Sequence, residues 1–221
     1  RLNQPNYASI ADFYRTTPPK PCIDLEPNYE GMPVGFGRQN DIEPQHRAYF
    51  NDYDVRRSYY RSVLAGAAGF TYGCESVRQI YRPGDRSHAW DGKGIPTWEE
   101  GLDAPGSSQL KLLKDVLLER NYFSRVPAQD VLLESAGDNP LAYTVAARCR
   151  AGCYILVYTP LRQMLTIDTS GIASHQLRVS VYDPEACTCI RSWTCENAGR
   201  LGYIPARRLD SFIVIDAFPG N

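Results

Sequence analysis

The sequence lacks the features that mark several large protein classes. Its 221 residues contain no apolar run of the roughly 18 residues that a membrane-spanning helix needs. The formal net charge is only −1, so the basic surplus that binds nucleic acid or an anionic membrane is missing. A Gly-rich phosphate loop and the HExxH, GxSxG and calcium-loop motifs are also absent, as are internal repeats. We therefore expect neither a cofactor nor a nucleic-acid or membrane partner.

The residues that are present are typical of a folded protein. Hydrophobic residues make up 43% of the chain and charged residues 22%, which suits one large domain or two modest ones. The 15 Tyr and 3 Trp are more unusual. Aromatic rings bind the apolar faces of sugars, but Tyr is also common in β-sheets, so this composition alone selects neither interpretation.

Seven cysteines is an odd number, and their spacing fits no common metal site. Neither Cys149-x3-Cys153 nor Cys187-x-Cys189 is a CxxC pair, and no His lies near the second pair. We interpret the cysteines as small buried residues or as partners in one or two disulfides. An oxidising compartment would permit a bridge, with a connectivity that the sequence leaves open, among Cys149, Cys153, Cys187, Cys189 and Cys195.

The first 135 or so residues alternate strand and helix patterns. Strands are predicted at 21–25, "PCIDL", and at 70–74, "FTYGC". Apolar positions at a 3.6-residue period predict a helix over 51–69 and a second helix that begins after Ser107 or Ser108. Because a long loop follows each strand, this order predicts a β/α architecture with its functional face at the carboxyl ends of the strands.

From about residue 140 the pattern changes to a period of two. Seven short strands over about 80 residues, separated by turn residues, are typical of a small β-sandwich. The predicted strands are 142–149, 153–160, 163–169, 176–183, 187–193, 200–205 and 211–218. The linker-like segment 134–140, "ESAGDNP", separates an expected unit at 1–135 from an expected unit at 140–221.

Two parallel strands with two helices do not form a complete sheet. A parallel sheet is buried on both faces, so we expect these units to complete a sheet or barrel whose other strands lie outside this chain. The sequence begins with "RLNQPNYASIADFY", without Met, as the middle of a longer polypeptide or a processed precursor would. An N-terminal barrel segment or a companion chain is therefore an expected partner.

Four stretches of the sequence resemble one known family, in the family's own order. They are "KPCIDLEPNYEG", "RRSYYRSVLAGAAGFTYG", "PTWEEGLDAPGSSQLKLLKDVLLERNYFSRVPAQDVL" and "LAYTVAARCRAGCYILVYTPLRQMLTIDTS". In these stretches the chain is similar to the apiosidase-like glycoside hydrolases, (β/α)8 barrels followed by a β-sandwich often labelled a collagen-binding domain. The resemblance implies that 21–25 is the seventh barrel strand and 70–74 the eighth. The implied fold class is α/β plus all-β: the last two β/α units of a barrel followed by an antiparallel sandwich.

The resemblance makes Glu26 the candidate catalytic carboxylate. Glycoside hydrolysis uses one acid to protonate the leaving oxygen and a second carboxylate as nucleophile or base. Glu26 matches the family's acid at the end of the seventh strand, and Pro27 keeps the chain extended, which would leave Glu26 facing the pocket. The partner acid, expected at the end of the fourth strand, has no counterpart here. The alternative for Glu26 is a solvated acid at a strand end.

Three neighbouring residues are candidate substrate contacts or supports. Asp24 shares a face with Glu26 at period two, so from inside the barrel it could donate or accept a hydrogen bond and tune Glu26. Glu30 matches the family's "YE" and is expected to bind sugar hydroxyls, to hold the loop or to pair with an Arg. Tyr29 is expected either to stack on a sugar ring or to pack internally.

The eighth strand and the loop after it supply further candidates. Tyr72 is expected to point into the same pocket, and Glu75 to bind a hydroxyl. Arg78 stands where family members commonly have Trp, which replaces a stacking surface by a cation suited to an acidic sugar. Phe70 stands where they commonly have His, which replaces a polar contact by an apolar one. Trp90 is expected to line a sugar subsite or to anchor its loop.

These features lead to three hypotheses. The first is the C-terminal part of a secreted, extracellular or periplasmic glycoside hydrolase that cleaves O-glycosidic bonds in plant or microbial polysaccharide. The second is a non-catalytic carbohydrate-binding or structural module derived from such an enzyme. The third is one piece of a cleaved or two-chain enzyme.

Overall fold

The computed structural model describes residues 5–18, 20–35, 48–85, 96–134 and 139–218 of a mixed α/β chain. Helices dominate up to residue 118, and antiparallel strands follow from residue 125. Within the described ranges, no helix is both long enough and apolar enough to cross a bilayer.

A short pair of parallel strands organises the first part of the chain. β1 (Ile23–Asp24) lies beside β2 (Gly69–Phe70), with Asp24 opposite Phe70. Both lie within or next to the predicted strands, but each is only two residues long. The period-two alternation expected from 21 to 26 therefore ends at Asp24.

Two helices flank this strand pair. α2 (Asp52–Leu64) connects β1 to β2, and it starts with a capping box in which Asn51 and Asp54 each accept a hydrogen bond from the other's backbone N–H. This confirms the predicted helix, although it ends before Gly69. α1 (Asn6–Tyr14) was not predicted, because it buries Ile10 alone and so leaves little apolar periodicity in the sequence.

Four shorter helices follow β2. They are α3 (Glu75–Gln79), α4 (Trp98–Gly101), α5 (Pro105–Gln109) and α6 (Lys111–Leu118). The single helix predicted to start after Ser107 or Ser108 is divided into two. α5 starts earlier, since Pro105 occupies the first helical position, where its missing N–H costs nothing, and α6, with most of the predicted apolar side, starts at Lys111. The hydroxyls of Ser107 and Ser108 do not cap the helix but donate to the carbonyls of Ala104 and Pro105.

The rest of the chain forms two antiparallel sheets. One has six strands in the order β3-β4-β5-β10-β7-β8, and the other pairs β6 with β9. The seven strands predicted from the sequence are confirmed, with ends that shift by up to three residues. The strands are β3 (Arg125–Pro127), β4 (Val145–Cys149), β5 (Tyr154–Thr159), β6 (Leu165–Asp168), β7 (Gln176–Asp183), β8 (Thr188–Glu196), β9 (Arg200–Tyr203) and β10 (Ser211–Phe218). β3, which precedes the predicted boundary at 134–140, pairs with β4 and was not predicted.

The centre of the six-stranded sheet is buried on both faces. On one face, Leu156 and Tyr158 of β5 pack with apolar residues of α2 and α6. On the other face, Ile155 and Val157 pack with Leu165 of β6 and with other residues of the smaller sheet. Successive side chains of a strand point to opposite faces. Because both faces are covered here, all six residues of β5 are buried. The helices of the first part and the sheet of the second part therefore share one core.

Two ion pairs cross between the helices and the sheet. The Arg56 Nε of α2 donates to Asp210 Oδ2 at 2.7 Å, just before β10. Arg120, after α6, donates from Nη2 to Asp216 Oδ2 of β10, also at 2.7 Å. Arg61 of α2 adds hydrogen bonds to the backbone carbonyl of Tyr143 at 3.1 and 2.8 Å. The contacts of Arg56 and Arg61 fix the position of α2 against the sheet, and that of Arg120 fixes the end of α6.

Candidate functional site

The loops that follow β1 and β2 run side by side. The Thr71 N–H donates to the Asp24 carbonyl at 3.0 Å, and its hydroxyl donates to the Leu25 carbonyl at 2.7 Å. Further along, Glu30 forms a parallel bridge with Cys74: its N–H donates to the Gly73 carbonyl, and its own carbonyl accepts from Glu75, both at 2.8 Å. The predicted site residues of both loops are thus brought to one edge of the strand pair.

The three acids of "DLEPNYE" have different environments. Glu26 is exposed, and among the described residues its carboxylate makes no hydrogen bond, whereas the following Pro27 is buried and anchors this point of the loop. Asp24 and Glu30 are each only 9% exposed. Of the three, only Glu26 presents a carboxylate that is open to solvent.

Asp24 does not contact Glu26, contrary to the prediction that the two could share a hydrogen bond. Its Oδ2 accepts from the Ser62 hydroxyl of α2 at 2.7 Å and from Asn6 Nδ2 of α1 at 3.2 Å. The alternation that would place both acids on one face stops because β1 ends at Asp24. Asp24 therefore joins the strand to its two flanking helices.

Glu30 holds the loop, which is one of the roles predicted for it. Its Oε2 accepts from the Tyr72 hydroxyl at 2.8 Å and from the Gly106 N–H at 3.0 Å. A Cβ at position 106 would lie 2.3 Å from that oxygen, so the contact requires glycine. Burial raises the pKa of Glu30 above its usual value, and the two hydrogen bonds oppose the rise. Burial, together with Glu30, also raises the pKa of Tyr72.

Glu75 is a partner of Arg78 and is not available to a sugar hydroxyl, which corrects its predicted role. The Glu75 side chain is fully buried, and it accepts from Arg78 Nε at 2.8 Å and from Arg78 Nη2 at 2.6 Å. Gln79 Nε2 donates to the same carboxylate at 2.8 Å. Both Glu75 oxygens therefore accept hydrogen bonds within α3. The contacts are possible because Arg78 and Gln79 lie three and four positions after Glu75, one helical turn away.

Arg78 is the partly exposed end of this ion pair. Its side chain is 43% exposed, and its guanidinium carbon lies 5.8 Å from the centre of the Tyr29 ring. The hydrogen bonds to Glu75 raise the pKa of Arg78, burial opposes the rise, and the charges of Glu75 and Glu26 add to it. Glu26 is thus close enough to Arg78 for the two charges to interact.

Tyr29 and Tyr72 line a cavity of about 440 Å³ together with Arg78. A Cβ at position 73 would lie 2.6 Å from the Tyr29 ring, so Gly73 permits the ring to lie against the backbone. The remaining lining residues are Gly73, Cys74, Val77, Gly101 and Leu102. A cavity with two aromatic rings and a guanidinium offers stacking surfaces and hydrogen-bond donors to a polar, ring-shaped ligand, and the Tyr72 hydroxyl, which donates to Glu30, offers an acceptor.

Two sequence expectations have different outcomes here. Phe70 lies with its ring centre 5.1 Å from that of Tyr59 and packs against the shared core, so its apolar side chain suits its surroundings. Trp90 lies outside the described residues. Among those residues, no group of three or more His, Cys, Asp or Glu side chains is arranged to hold a metal ion.

Three residues that support the site were not identified from the sequence. Gly106 and Asn6 carry no local signal, because their partners Glu30 and Asp24 are 76 and 18 positions away in the chain. Ser62 did carry one: it is a polar residue beside Val63 and Leu64 on the side of α2 that is buried. A buried serine needs a hydrogen-bond partner, and that requirement could have indicated Asp24.

Two family models match successive parts of the chain. Residues 1–124 match "Apiosidase-like, catalytic domain", and residues 126–215 match "Putative collagen-binding domain of a collagenase". The resemblance inferred from the sequence motifs is confirmed by both matches.

Solved structures of two glycoside hydrolases are also similar to the chain. One, described as "Glycoside hydrolase", is 29% identical with a TM-score of 0.83 over 96% of this chain and 46% of that one. The other, a glycoside hydrolase family 5 protein from Bacteroides vulgatus ATCC 8482, is 28% identical with a TM-score of 0.85 over 96% of this chain and 45% of that one. The chain therefore spans less than half the length of either structure. No curated protein matches it.

Proposed function

The chain belongs to the apiosidase-like catalytic domain family, and we propose that it is the C-terminal part of a glycoside hydrolase acting on plant or microbial polysaccharide. The two similar glycoside hydrolase structures support the general reaction class. In this proposal, residues 1–135 are the last two β/α units of a (β/α)8 barrel, and residues 140–221 are a β-sandwich accessory domain. The parallel pair β1–β2 with α2 between its strands supports the first assignment, and the antiparallel strands β4 to β10 support the second, while β3 extends the larger sheet from before the boundary.

The observation that carries the proposal is the contrast among the three acids. Asp24 and Glu30 are buried and hydrogen-bonded to the fold, whereas Glu26 is exposed and its carboxylate accepts no hydrogen bond from the residues that the structure describes. A nucleophile or base must be open to the substrate, and Glu26 lies on the exposed part of the loop, close enough to Arg78 for the two charges to interact. Glu26 is accordingly the nucleophile or the base of the proposed reaction.

The cavity residues bind and orient the sugar in this proposal. Arg78 is held by the buried Glu75 and offers its remaining N–H groups, and Tyr72 and Tyr29 supply a hydroxyl and ring surfaces. Asp24 and Glu30 position the loop rather than contact the sugar. The residue suited to an acidic sugar is Arg78, although its charge is already partly balanced by Glu75 and Glu26.

Hydrolysis also needs a second acid and access to the polymer. We propose that an N-terminal barrel segment or a companion chain supplies the partner carboxylate. We also propose a location outside the cytoplasm, because a polysaccharide does not cross membranes.

Substitution Glu26→Gln in the complete enzyme tests the proposal. The amide keeps the size of the side chain but is not a nucleophile or base, so we expect kcat to fall by about 10²–10⁴-fold while sugar binding is retained. Glu99→Gln is the matched control, since Glu99 is also exposed but lies on α4. Unchanged turnover in Glu26→Gln would overturn the assignment.

The same measurements test the non-catalytic alternative. If the complete wild-type protein binds oligosaccharide but turns over no glycoside, the chain belongs to a carbohydrate-binding module. The departures at Phe70 and Arg78 from the common family residues are the features that favour this alternative.

A further inference from the structure

We propose that Cys149 and Cys153 form a redox-sensitive thiol pair that closes to a disulfide across the turn between β4 and β5. Cys149 is the last residue of β4, and Cys153 immediately precedes β5. Three residues separate them, and the turn closes with the Gly152 N–H donating to the Cys149 carbonyl at 2.9 Å. Such a turn keeps the two Cα atoms close together, as a disulfide requires.

The backbone on each side of the pair is held by other parts of the sheet. The N–H of Arg150 donates to the Ser124 carbonyl at 2.8 Å, and the carbonyl of Cys153 accepts from Ala217 of β10 at 2.9 Å. The Gly152 carbonyl accepts from Ala173 at 3.1 Å. A pair that is already positioned loses little conformational freedom on bond formation, so closure is favoured over reaction with an outside thiol.

Gly152 fixes the shape of the turn. Its φ is +72°, and a Cβ there would lie 2.5 Å from the Gly171 carbonyl oxygen. The turn therefore packs closely against the loop that contains Gly171, and a glycine is needed at position 152.

The two thiols differ in exposure and chemistry. Cys149 is 2% exposed and its Sγ lies 3.3 Å from the Ser124 hydroxyl, whereas Cys153 is exposed. Burial works against ionisation of Cys149, but hydrogen bonds from Ser124, from the Cys153 thiol and from the N–H groups of Cys153 and Ala151 lower its pKa below the ordinary value. The interaction with Cys149 and partial burial raise the pKa of Cys153.

The other five cysteines lack this arrangement. Cys74 pairs with the Ser76 hydroxyl at 3.4 Å, Cys187 contacts backbone carbonyls, and Cys189 contacts the Arg191 carbonyl at 3.4 Å. All seven cysteines lie in the described part of the chain and carry free thiols there. Cys149 and Cys153 are the two cysteines that flank a single turn between paired strands.

Closure needs a disulfide oxidant, for which oxidised glutathione serves. The exposed Cys153 thiolate attacks one glutathione sulfur, forms a mixed disulfide and releases one glutathione thiolate. The Cys149 thiolate then attacks Cys153 Sγ and releases the second glutathione. Two protein thiols are oxidised to one disulfide, one glutathione disulfide is reduced to two thiols, and both protein protons pass to solvent or to the released thiolates.

Peptide mapping of the native protein after treatment with oxidised glutathione tests the proposal. Trypsin cuts after Arg148, Arg150 and Arg162, so only a disulfide can hold the peptide 149–150 to the peptide 151–162. We expect the linked pair, lighter than the sum of the two reduced peptides by about 2 Da for the two hydrogens lost. Free peptides, or glutathione retained on Cys153, would overturn the proposal.

The chain supplies its own control for simple exposure. Cys189 is also exposed, but its Sγ contacts the Arg191 carbonyl at 3.4 Å, while the Sγ of its neighbour Cys187 contacts the Gln109 carbonyl, so Cys189 should retain glutathione under the same conditions. In Cys149→Ser the reaction should stop at the mixed disulfide on Cys153, and reduced glutathione should remove the label. Equal retention of glutathione at Cys153 in the wild type and in Cys149→Ser would show that Cys149 does not act on Cys153.

Discussion

The Arg56 guanidinium and the Asp210 carboxylate, 154 positions apart in the chain, form an ion pair in the shared core. Nε to Oδ2 is 2.7 Å and Nη2 to Oδ1 is 3.2 Å, and the two side chains are 1% and 0% exposed. The Tyr158 hydroxyl donates to the same carboxylate at 3.1 Å. Asp52 and Gln109 accept from Arg56, so the pair joins α2 to both α5 and the sheet.

Loss of the Asp210 carboxylate should destabilise the fold strongly. Asp210→Ala leaves the Arg56 charge buried, with Asp52 as its remaining ion-pair partner, and removing one partner of a buried pair costs about 3–5 kcal/mol. Asp12→Ala is the control, because the Arg15–Asp12 pair is 71% and 44% exposed and such pairs contribute about 0–1 kcal/mol. Urea unfolding measures both variants, and equal small shifts of the two midpoints would contradict the expectation.

Arg78→Ala should reduce stability because of the burial of its partner. Glu75 is fully buried, and without Arg78 its carboxylate retains only Gln79, which should cost about 1–3 kcal/mol. Arg148→Ala is closely matched: Arg148 is 42% exposed against 43% for Arg78, but its partner Asp130 is 65% exposed. Because the two arginines are equally exposed, the difference in thermal stability between the two variants measures the effect of burying the partner acid. A loss in Arg148→Ala as large as in Arg78→Ala would show that burial of Glu75 is unimportant.

Glu30 should make stability fall as pH rises above the ordinary pKa of glutamate. Burial raises its pKa in the folded state, so the folded chain binds more protons than the unfolded chain between the ordinary and the raised values. Its contribution is fully present below the ordinary value and is lost as pH rises through the raised one. Glu30→Gln still accepts hydrogen bonds from Tyr72 and Gly106 but does not titrate.

Urea midpoints across a pH series test this titration. The stability of Glu30→Gln relative to the wild type should increase as pH rises through that window and then level off. Glu99→Gln, at an exposed site, should follow the wild type throughout. A constant difference between Glu30→Gln and the wild type at all pH values would exclude Glu30 as the titrating group.

Gly73→Ala should displace Tyr29. The added methyl would lie 2.6 Å from the ring, so either the ring or the backbone must move, at a cost of about 1–3 kcal/mol. Gly171→Ala is the control, since a Cβ there meets no atom within 4 Å. Thermal unfolding measures the loss of stability, and a crystal structure of the variant would show the ring. An unmoved Tyr29 with unchanged stability would contradict the packing described for the cavity.

The elements with strong local patterns could be predicted from sequence. α2 has both apolar periodicity and a capping box. The antiparallel strands carry the period-two pattern of side chains that point alternately to the two faces of a sheet. α1 and β3 were not predicted, because α1 buries Ile10 alone and β3 is three residues paired with a strand about 20 positions later. Their conformation depends on neighbours that a local pattern does not include.

The sequence indicated a loop for the candidate site, but it did not indicate which side chains of that loop are buried and which are exposed. The motif around Glu26 indicated one loop as the candidate site, and the end of β1 at Asp24 decides which acids of that loop are buried. The sequence places both Glu75 and Arg78 among the candidate substrate contacts, yet their spacing of three positions in α3 lets them bind each other, which leaves Glu75 buried and Arg78 partly exposed. Which of two polar side chains faces solvent depends on packing from outside the motif.

The apolar face that β5 and β10 share with α2 and α6 limits how this chain can be divided. A protein made only of β4 to β10 would present Tyr154, Leu156, Tyr158 and Phe212 to water, because the helices that cover them lie earlier in the chain. We therefore do not expect the sheet to be stable as a separate domain or when it is fused alone to another enzyme. A recombinant fragment that retains α2 and α6 keeps this apolar face covered. In a chimera, the helices and the sheet should therefore be exchanged together.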